Sequence, residues 1–319
     1  MKPPYQITNK SLSLIASISE KIGEIKSARL IKPPTELRKR NRIKIIQSSL
    51  EIEGNTLTVE QITDLIDNKR VLAPKKDILE VKNAIKVYSM LNNLDVYQLD
   101  SLCGAHKILM EGLIEKPGQL RQKAVGILKA GNIAHIAPPG SLVVPLINDL
   151  FTYLKWDDDL LLVKSCVFHY EFEFIHPFLD GNGRMGRLWQ TMILKEYSPV
   201  FEYLPIETLI KEQQKDYYHV LETSDNQGNS THFIEFMLEI IDISLEELLG
   251  TQNLTLRNID RINIFKEIIK DKYFTRQDYL RHNKGISSAT ASRDLKEGVE
   301  NKILEKSGDK RMTQYKYNI

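Results

Sequence analysis

Cysteine is nearly absent from this sequence: Cys103 and Cys166 are the only two in 319 residues. Neither has a second cysteine nearby, which argues against a structural zinc site of the usual kind, and the expectation is two buried thiols. No apolar run approaches the length needed to cross a bilayer. The first residues, MKPPYQITNKSLSL, lack the basic stretch and apolar run of a secretion signal. A cytoplasmic protein with no membrane partner is the expectation. Low-complexity tracts and internal repeats are missing too. With 42% hydrophobic and 27% charged residues, the composition is that of an ordinary globular chain, long enough for two or three folding units.

Charge is small in total and uneven in distribution. Residues 255–319 carry 15 Lys and Arg against 9 Asp and Glu, a local +6 in a chain of net +2, so the remainder stands at −4. A basic module behind a mildly acidic body permits nucleic-acid contact at the C-terminal end.

Helical periodicity dominates. Residues 41–53 place Ile43, Ile46, Leu50 and Ile52 at three- and four-residue steps before Gly54 and Asn55 stop the helix. Further helices are predicted at 58–68, 76–93, 98–112, 144–154, 159–174, 185–197, 205–223 and 230–249. The stretch 117–140 breaks the pattern, with proline and glycine around two short β-type runs, Val125–Leu128 and Ile133–Ile136, that read as a hairpin. After Gly250 helices are predicted at 258–271, 275–282 and 287–301, then an alternating tail with a turn at Ser307–Asp309. That order is the winged helix-turn-helix order.

One loop, His176–Arg187, reads HPFLDGNGRMGR. Gly181, Asn182 and Gly183 form a glycine-rich turn ahead of a predicted helix. Backbone amides can converge there, and the helix start adds unpaired N–H groups and a positive dipole end, which together cradle phosphate. Arg184 and Arg187, three residues apart, can grip phosphate oxygens. Asp180 can hold Mg²⁺ between two phosphates. His176 can serve as a general base near neutral pH. Base, metal ligand, anion cradle and arginine clamp within twelve residues describe phosphoryl-group chemistry on a nucleotide.

This loop resembles the Fic family signature, HxFx(D/E)GNGRxxR, at every defined position. The resemblance covers roughly residues 8–250 and implies an all-α fold with a small hairpin flap. It implies transfer of AMP from ATP to a Tyr, Thr or Ser hydroxyl of a target protein. His176 would deprotonate the hydroxyl, and Asp180 would ligate Mg²⁺. Gly181, Asn182 and Gly183 would cradle phosphates, while Arg184 and Arg187 would hold the β- and γ-phosphates. Phe178 would anchor the loop in the core. The hairpin 121–139 resembles the family flap, which pairs with an extended target segment by strand addition. Tyr217 and Tyr218 are candidates either for packing near the adenine or for the core.

Ser49-Leu-Glu-Ile-Glu53-Gly54-Asn55 resembles the family's inhibitory motif, (S/T)xxxE(G/N)N, in the arrangement where it precedes the catalytic loop. Ser49 and Glu53 lie four residues apart, on one helical face. Ser49 would orient the Glu53 carboxylate, and Glu53 would pair with Arg187 and keep it from the γ-phosphate.

The domains expected are therefore 1–95, an N-terminal helical region with the inhibitory helix; 96–250, the Fic catalytic core; and 255–319, a winged helix-turn-helix domain. The implied partners are a target protein docked on 121–139, the chain itself through self-modification, DNA through the C-terminal domain, and a second copy in a homodimer. Two alternatives stay open: Fic-type transfer of another phosphate-containing group, and a DNA-binding regulator whose Fic domain senses nucleotide.

Overall fold

The computed structural model describes residues 2–27, 35–123, 126–129, 132–255, 258–270, 272–283, 286–309 and 313–318. Among them, fourteen α-helices and two small antiparallel sheets make up the regular structure. The fold is all-α with a small hairpin, as the periodicities imply. It divides into two compact units, Met1–Ser244 and Leu245–Ile319. The first takes in the N-terminal helices and the span expected for the core up to Ser244, short of the expected end at 250.

The first unit holds α1 (Asn9–Ser27), α2 (Thr35–Ile52), α3 (Val59–Ile66), α4 (Lys75–Ser89) and α5 (Leu99–Leu109). The hairpin of β1 (Gly126–Lys129) and β2 (Asn132–Ile136) follows, with Gly126 opposite Ile136 and Lys129 opposite Asn132. Its register shifts between Ile127 and Leu128, as at a β-bulge. Then come α6 (Gly140–Trp156), α7 (Leu161–Ile175), α8 (Asn182–Tyr197), α9 (Ile206–Glu212), α10 (Gln214–Gln227) and the start of α11 (Thr231–Thr255).

Two helices form the centre. α7 is buried nearly all round, with Lys164, Ser165 and His169 enclosed among its apolar side chains, so it sits where a helix apolar on several faces must go. α8 packs along it and is buried from Asn182 to Leu194, although Arg184, Arg187, Gln190 and Thr191 lie in that span. Buried polar groups need partners, so α8 imposes a polar network on its neighbours. The predicted helix 205–223 is in fact two: the chain breaks at Gln213 between α9 and α10. No proline or glycine marks that break. α9 packs on α2 instead, and the packing sets its direction.

An aromatic series leads from this core to the loop. Phe151 meets Phe168 edge-on at 5.5 Å, Phe168 stacks near Phe172 at 6.0 Å, and Phe172 lies 6.2 Å from Phe178. Phe178 is fully buried and stacks on the His106 ring at 3.6 Å. Burying such a ring contributes about 1.5–3 kcal/mol.

The second unit contains the rest of α11, α12 (Asn258–Ile269), α13 (Arg276–His282), α14 (Ser288–Glu300), and the hairpin β3 (Leu304–Ser307) with β4 (Gln314–Tyr317). Thr275 and Asp278 form a capping box at the start of α13, and Ser287 caps α14. The core gathers Ile262, Phe265, Phe274, Tyr279, Leu295 and Tyr317. Within it Arg261 forms a buried pair with Asp294 at 2.6 Å, and the Tyr279 hydroxyl donates to the same carboxylate at 3.1 Å.

Candidate active site

α7 ends at Ile175, and His176 caps it in the left-handed region, φ 49° and ψ 60°. A non-glycine residue held there stores on the order of 1–3 kcal/mol of strain. The loop that follows is clasped by Asn182. Its Oδ1 accepts from the Phe178 N–H at 2.9 Å, and its Nδ2 donates to the Phe178 carbonyl at 2.9 Å. The Asn182 side chain is therefore committed to the loop. What Asn182 offers a ligand is its backbone N–H. Gly181, φ 83°, is the N-cap, and α8 starts at Asn182, three residues earlier than periodicity predicts. The first-turn amides of α8 have no carbonyl one turn back to bond.

The end of α2 lies over this first turn. A methyl group added at Gly183 would strike the Glu53 carboxylate and stand 3.1 Å from Arg187 Nη1. The glycine thus leaves room for a carboxylate at a helix N-terminus, where the dipole favours negative charge. Arg187 Nη2 donates to Glu53 Oε1 at 2.7 Å. The arginine side chain is 2% exposed and the glutamate 33%. Burial opposes the Arg187 charge, but the Glu53 carboxylate outweighs it, and the guanidinium is held above its ordinary pKa.

Ser49 corrects one expectation. Its hydroxyl accepts from Arg187 Nε at 3.1 Å, and its carbonyl accepts from Arg187 Nη2 at 2.9 Å. Ser49 therefore grips the arginine directly instead of orienting the glutamate. The last turn of α2 and Glu53 just beyond it supply three acceptors to one guanidinium.

Arg184 is also buried, at 5% exposure, and turns to α4. It meets Glu80 Oε1 at 3.3 Å and Asp180 Oδ1 at 3.2 Å. The other Glu80 oxygen accepts from Asn55 Nδ2 at 2.8 Å, so Glu80 joins the residue after Gly54 to the first arginine of the loop. Helical spacing in the sequence gives no reason to single Glu80 out.

Asp180 is the exposed member, its side chain 56% open. Oδ1 accepts from the Gly181 N–H at 2.5 Å. Its backbone carbonyl accepts from His106 Nε2 at 2.9 Å, while His106 Nδ1 accepts from the Gly118 N–H at 2.8 Å. Burial, reinforced by the Arg184 charge, brings the His106 pKa down to about 4, so the ring is neutral with its proton on Nε2. In the sequence His106 shares helical spacing with Leu99, Leu102 and Leu109, which marks it only as an inward-facing polar residue on an apolar face.

Tyr217 belongs to the core. It is fully buried and donates to His169 Nε2 at 3.1 Å, while His169 Nδ1 donates to Gln190 Oε1 at 2.7 Å. Burial and the nearby Arg187 charge bring the His169 pKa to about 3. Among the described residues no cluster of three His, Cys, Asp or Glu could enclose a metal ion. A lone carboxylate at the loop fits Mg²⁺, which is commonly held by one or two carboxylates together with substrate phosphates.

The model of the Fic/DOC family matches residues 95–194. Protein adenylyltransferase fic-1 of Caenorhabditis elegans is 25% identical over 230 residues, which are 67% of this chain and 42% of that protein. Protein adenylyltransferase Fic of Drosophila sechellia is 28% identical over 214 residues, 63% of this chain and 41% of that protein. The chain thus spans about two fifths of the length of these curated relatives. The crystal structure of a Fic family protein from Desulfovibrio desulfuricans G20 is similar throughout, at TM-score 0.77 and 38% identity over 100% of this chain and 98% of that one. With that identity along its full length, and with the glycine–arginine loop buried against α7, the chain belongs to the Fic family.

Proposed function

We propose that the chain transfers AMP from ATP to a Tyr, Thr or Ser hydroxyl of a target protein, and that Glu53 restrains it at rest. The carrying observation is the Glu53 carboxylate on Arg187 at 2.7 Å, over the first turn of α8. A phosphate would seek the same guanidinium and the same amides. Carboxylate and phosphate are then rivals for one anion site, and the intramolecular rival is always present. The adenylyltransferase names of the relatives support the choice of AMP as the group moved.

In this reading the target hydroxyl oxygen bonds to the α-phosphorus, the bond to the bridging oxygen breaks, and pyrophosphate leaves. The hydroxyl proton passes to His176. Asp180 would hold Mg²⁺, whose charge would offset that of the phosphates. Arg184 would exchange Asp180 for a phosphate oxygen while keeping Glu80.

Intact mass after incubation with ATP and Mg²⁺ tests it. The parent chain should gain little. Glu53→Gly should gain the mass of AMP, on itself or on an added target, and His176→Ala in that background should abolish the gain. A gain of one phosphate group would instead favour transfer of another phosphate-containing group.

For the second unit the reading is a winged helix-turn-helix that contacts DNA. Ser288, Ser292, Arg293 and Lys296 are exposed along α14, and Asp294 on the same helix is turned inward to Arg261. Its acidic group is thereby withdrawn from the side that exposes Arg293 and Lys296, the latter beside Glu300 at 3.6 Å. A mobility shift with duplex DNA that salt abolishes is the expected result.

A further inference from the structure

Arg121 stands at the foot of the hairpin, between α5 and β1, and it is buried. Its guanidinium donates to four main-chain carbonyls. Nε reaches His176 O at 2.6 Å, and Nη2 reaches Ile175 O at 3.0 Å. Nη1 reaches Lys123 O at 2.7 Å, and Nη2 also reaches Pro138 O at 2.7 Å. The Arg121 backbone N–H donates to Pro177 O at 2.8 Å. Two of the four side-chain acceptors belong to the turn that carries His176. The other two sit on the two legs of the hairpin, one before β1 and one after β2.

The charge has no counter-ion among the described residues, and burial alone lowers its pKa. A buried cation is costly unless its donors are met. Here they are met by dipoles, in the planar fork geometry that only arginine presents. Such a group contributes through position, since no partner charge is there to neutralise. Two further facts agree. The legs cross so closely that a methyl group at Gly140 would strike the Gln122 backbone, so the foot of the hairpin is fixed. And the carbonyl that Nε holds belongs to His176, whose left-handed backbone needs outside restraint.

We propose that Arg121 is a positioning residue that ties the hairpin to His176. A target strand added to the hairpin and the imidazole that receives its hydroxyl proton would then keep one geometry. The proposal rests on the adenylyl-transfer reading above.

The test uses the full chain carrying Glu53→Gly, with Arg121→Met and Arg121→Lys added in turn. AMP transfer is followed by intact mass, ATP·Mg²⁺ affinity by calorimetric titration, and backbone exchange by deuterium uptake. Arg121→Met should lower kcat about 100-fold, the loss typical of a reacting group misplaced by an ångström. ATP affinity should stay within about twofold, because no phosphate-facing group changes. Arg121→Lys, with three donors on a flexible stem, should recover part of kcat. Exchange should quicken together at 121–123, 138–142 and 175–178. Transfer within about twofold of the Glu53→Gly chain overturns the proposal. So does loss of ATP binding in step with transfer, which would mark a merely structural role. So does faster exchange at the hairpin foot while 175–178 stays protected. Should Glu53→Gly itself transfer nothing, the functional reading fails, and the exchange result alone decides whether Arg121 ties the two segments.

Discussion

Glu53 and Arg187, 134 positions apart in sequence, meet at 2.7 Å over the first turn of α8. Ser49 holds the same guanidinium from one turn earlier on α2, so the arginine is bound by a hydroxyl, a carbonyl and a carboxylate at once. A nucleotide phosphate would have to displace the carboxylate, the most exposed of the three.

Binding of ATP should therefore depend on Glu53. Saturating ATP and Mg²⁺, near 100 times Kd, stabilises a protein by about 2.7 kcal/mol. For a unit of this size that is a rise of about 5–10 °C in melting temperature. Glu53→Gly should show this rise in differential scanning fluorimetry, and the parent chain should show a clearly smaller one. Equal shifts in both would mean that the carboxylate does not compete.

Ser49→Ala removes one acceptor from a buried charged donor and leaves the carboxylate in place. The expected cost is about 1–3 kcal/mol of stability, read from denaturant unfolding. If Glu53 restrains the chain as proposed, AMP incorporation should fall between the parent and Glu53→Gly, because Ser49→Ala leaves the carboxylate in place. Had Ser49 served only to aim Glu53, the stability cost would be smaller and the gain in transfer larger.

Acid should loosen the loop through His106. Its pKa is brought down to about 4 in the fold by burial, against an ordinary 6.5, so the unfolded chain binds more protons in between. Stability from this group is complete above pH 6.5 and is lost as pH falls toward 4, on the order of 3 kcal/mol in full. His169, brought to about 3 by burial, acts in the same direction. Glu207 runs the other way: burial raises it to about 7, so its contribution is present at acid pH and lost as pH rises through that value. Unfolding free energy measured from pH 4 to 6.5 should rise less steeply in His106→Asn than in the parent, with the Glu207 slope common to both.

In the second unit, Asp294→Asn removes the carboxylate from its buried pair with Arg261. A loss of about 3–5 kcal/mol is expected. Arg293→Glu with Lys296→Glu changes only exposed side chains and should leave the melting temperature unchanged while abolishing the DNA mobility shift. A shift that survives both charge reversals would count against α14 as the contact face.

The loop from His176 to Arg187 was legible because its chemistry is packed into twelve consecutive positions, and a helix start after glycine offers unpaired amides wherever it occurs. Glu53 and Ser49 were legible as a helical pair four residues apart. That Ser49 holds Arg187 itself was not, because sequence spacing relates side chains within one helix and says nothing about which atom of another helix will lie nearer. The break at Gln213 was hidden for a similar reason: local propensity favours one continuous helix there, and packing on α2 overrides it.

His106, Arg121 and Glu80 mark the limit. Each acts at the loop through partners more than fifty positions away: His106 on Asp180, Arg121 on His176, Glu80 on Arg184. An inward-facing histidine, an arginine beside a hairpin and a glutamate on a helix are common, and alone they carry no chemistry. By itself the sequence determined the all-helical class, the hairpin and the glycine–arginine loop at a helix start, since periodicity, turn residues and a helix start are properties of neighbouring residues. Only the tertiary structure decided which buried donors meet which acceptors, because a buried charge can take any partner the packing brings within about 3 Å.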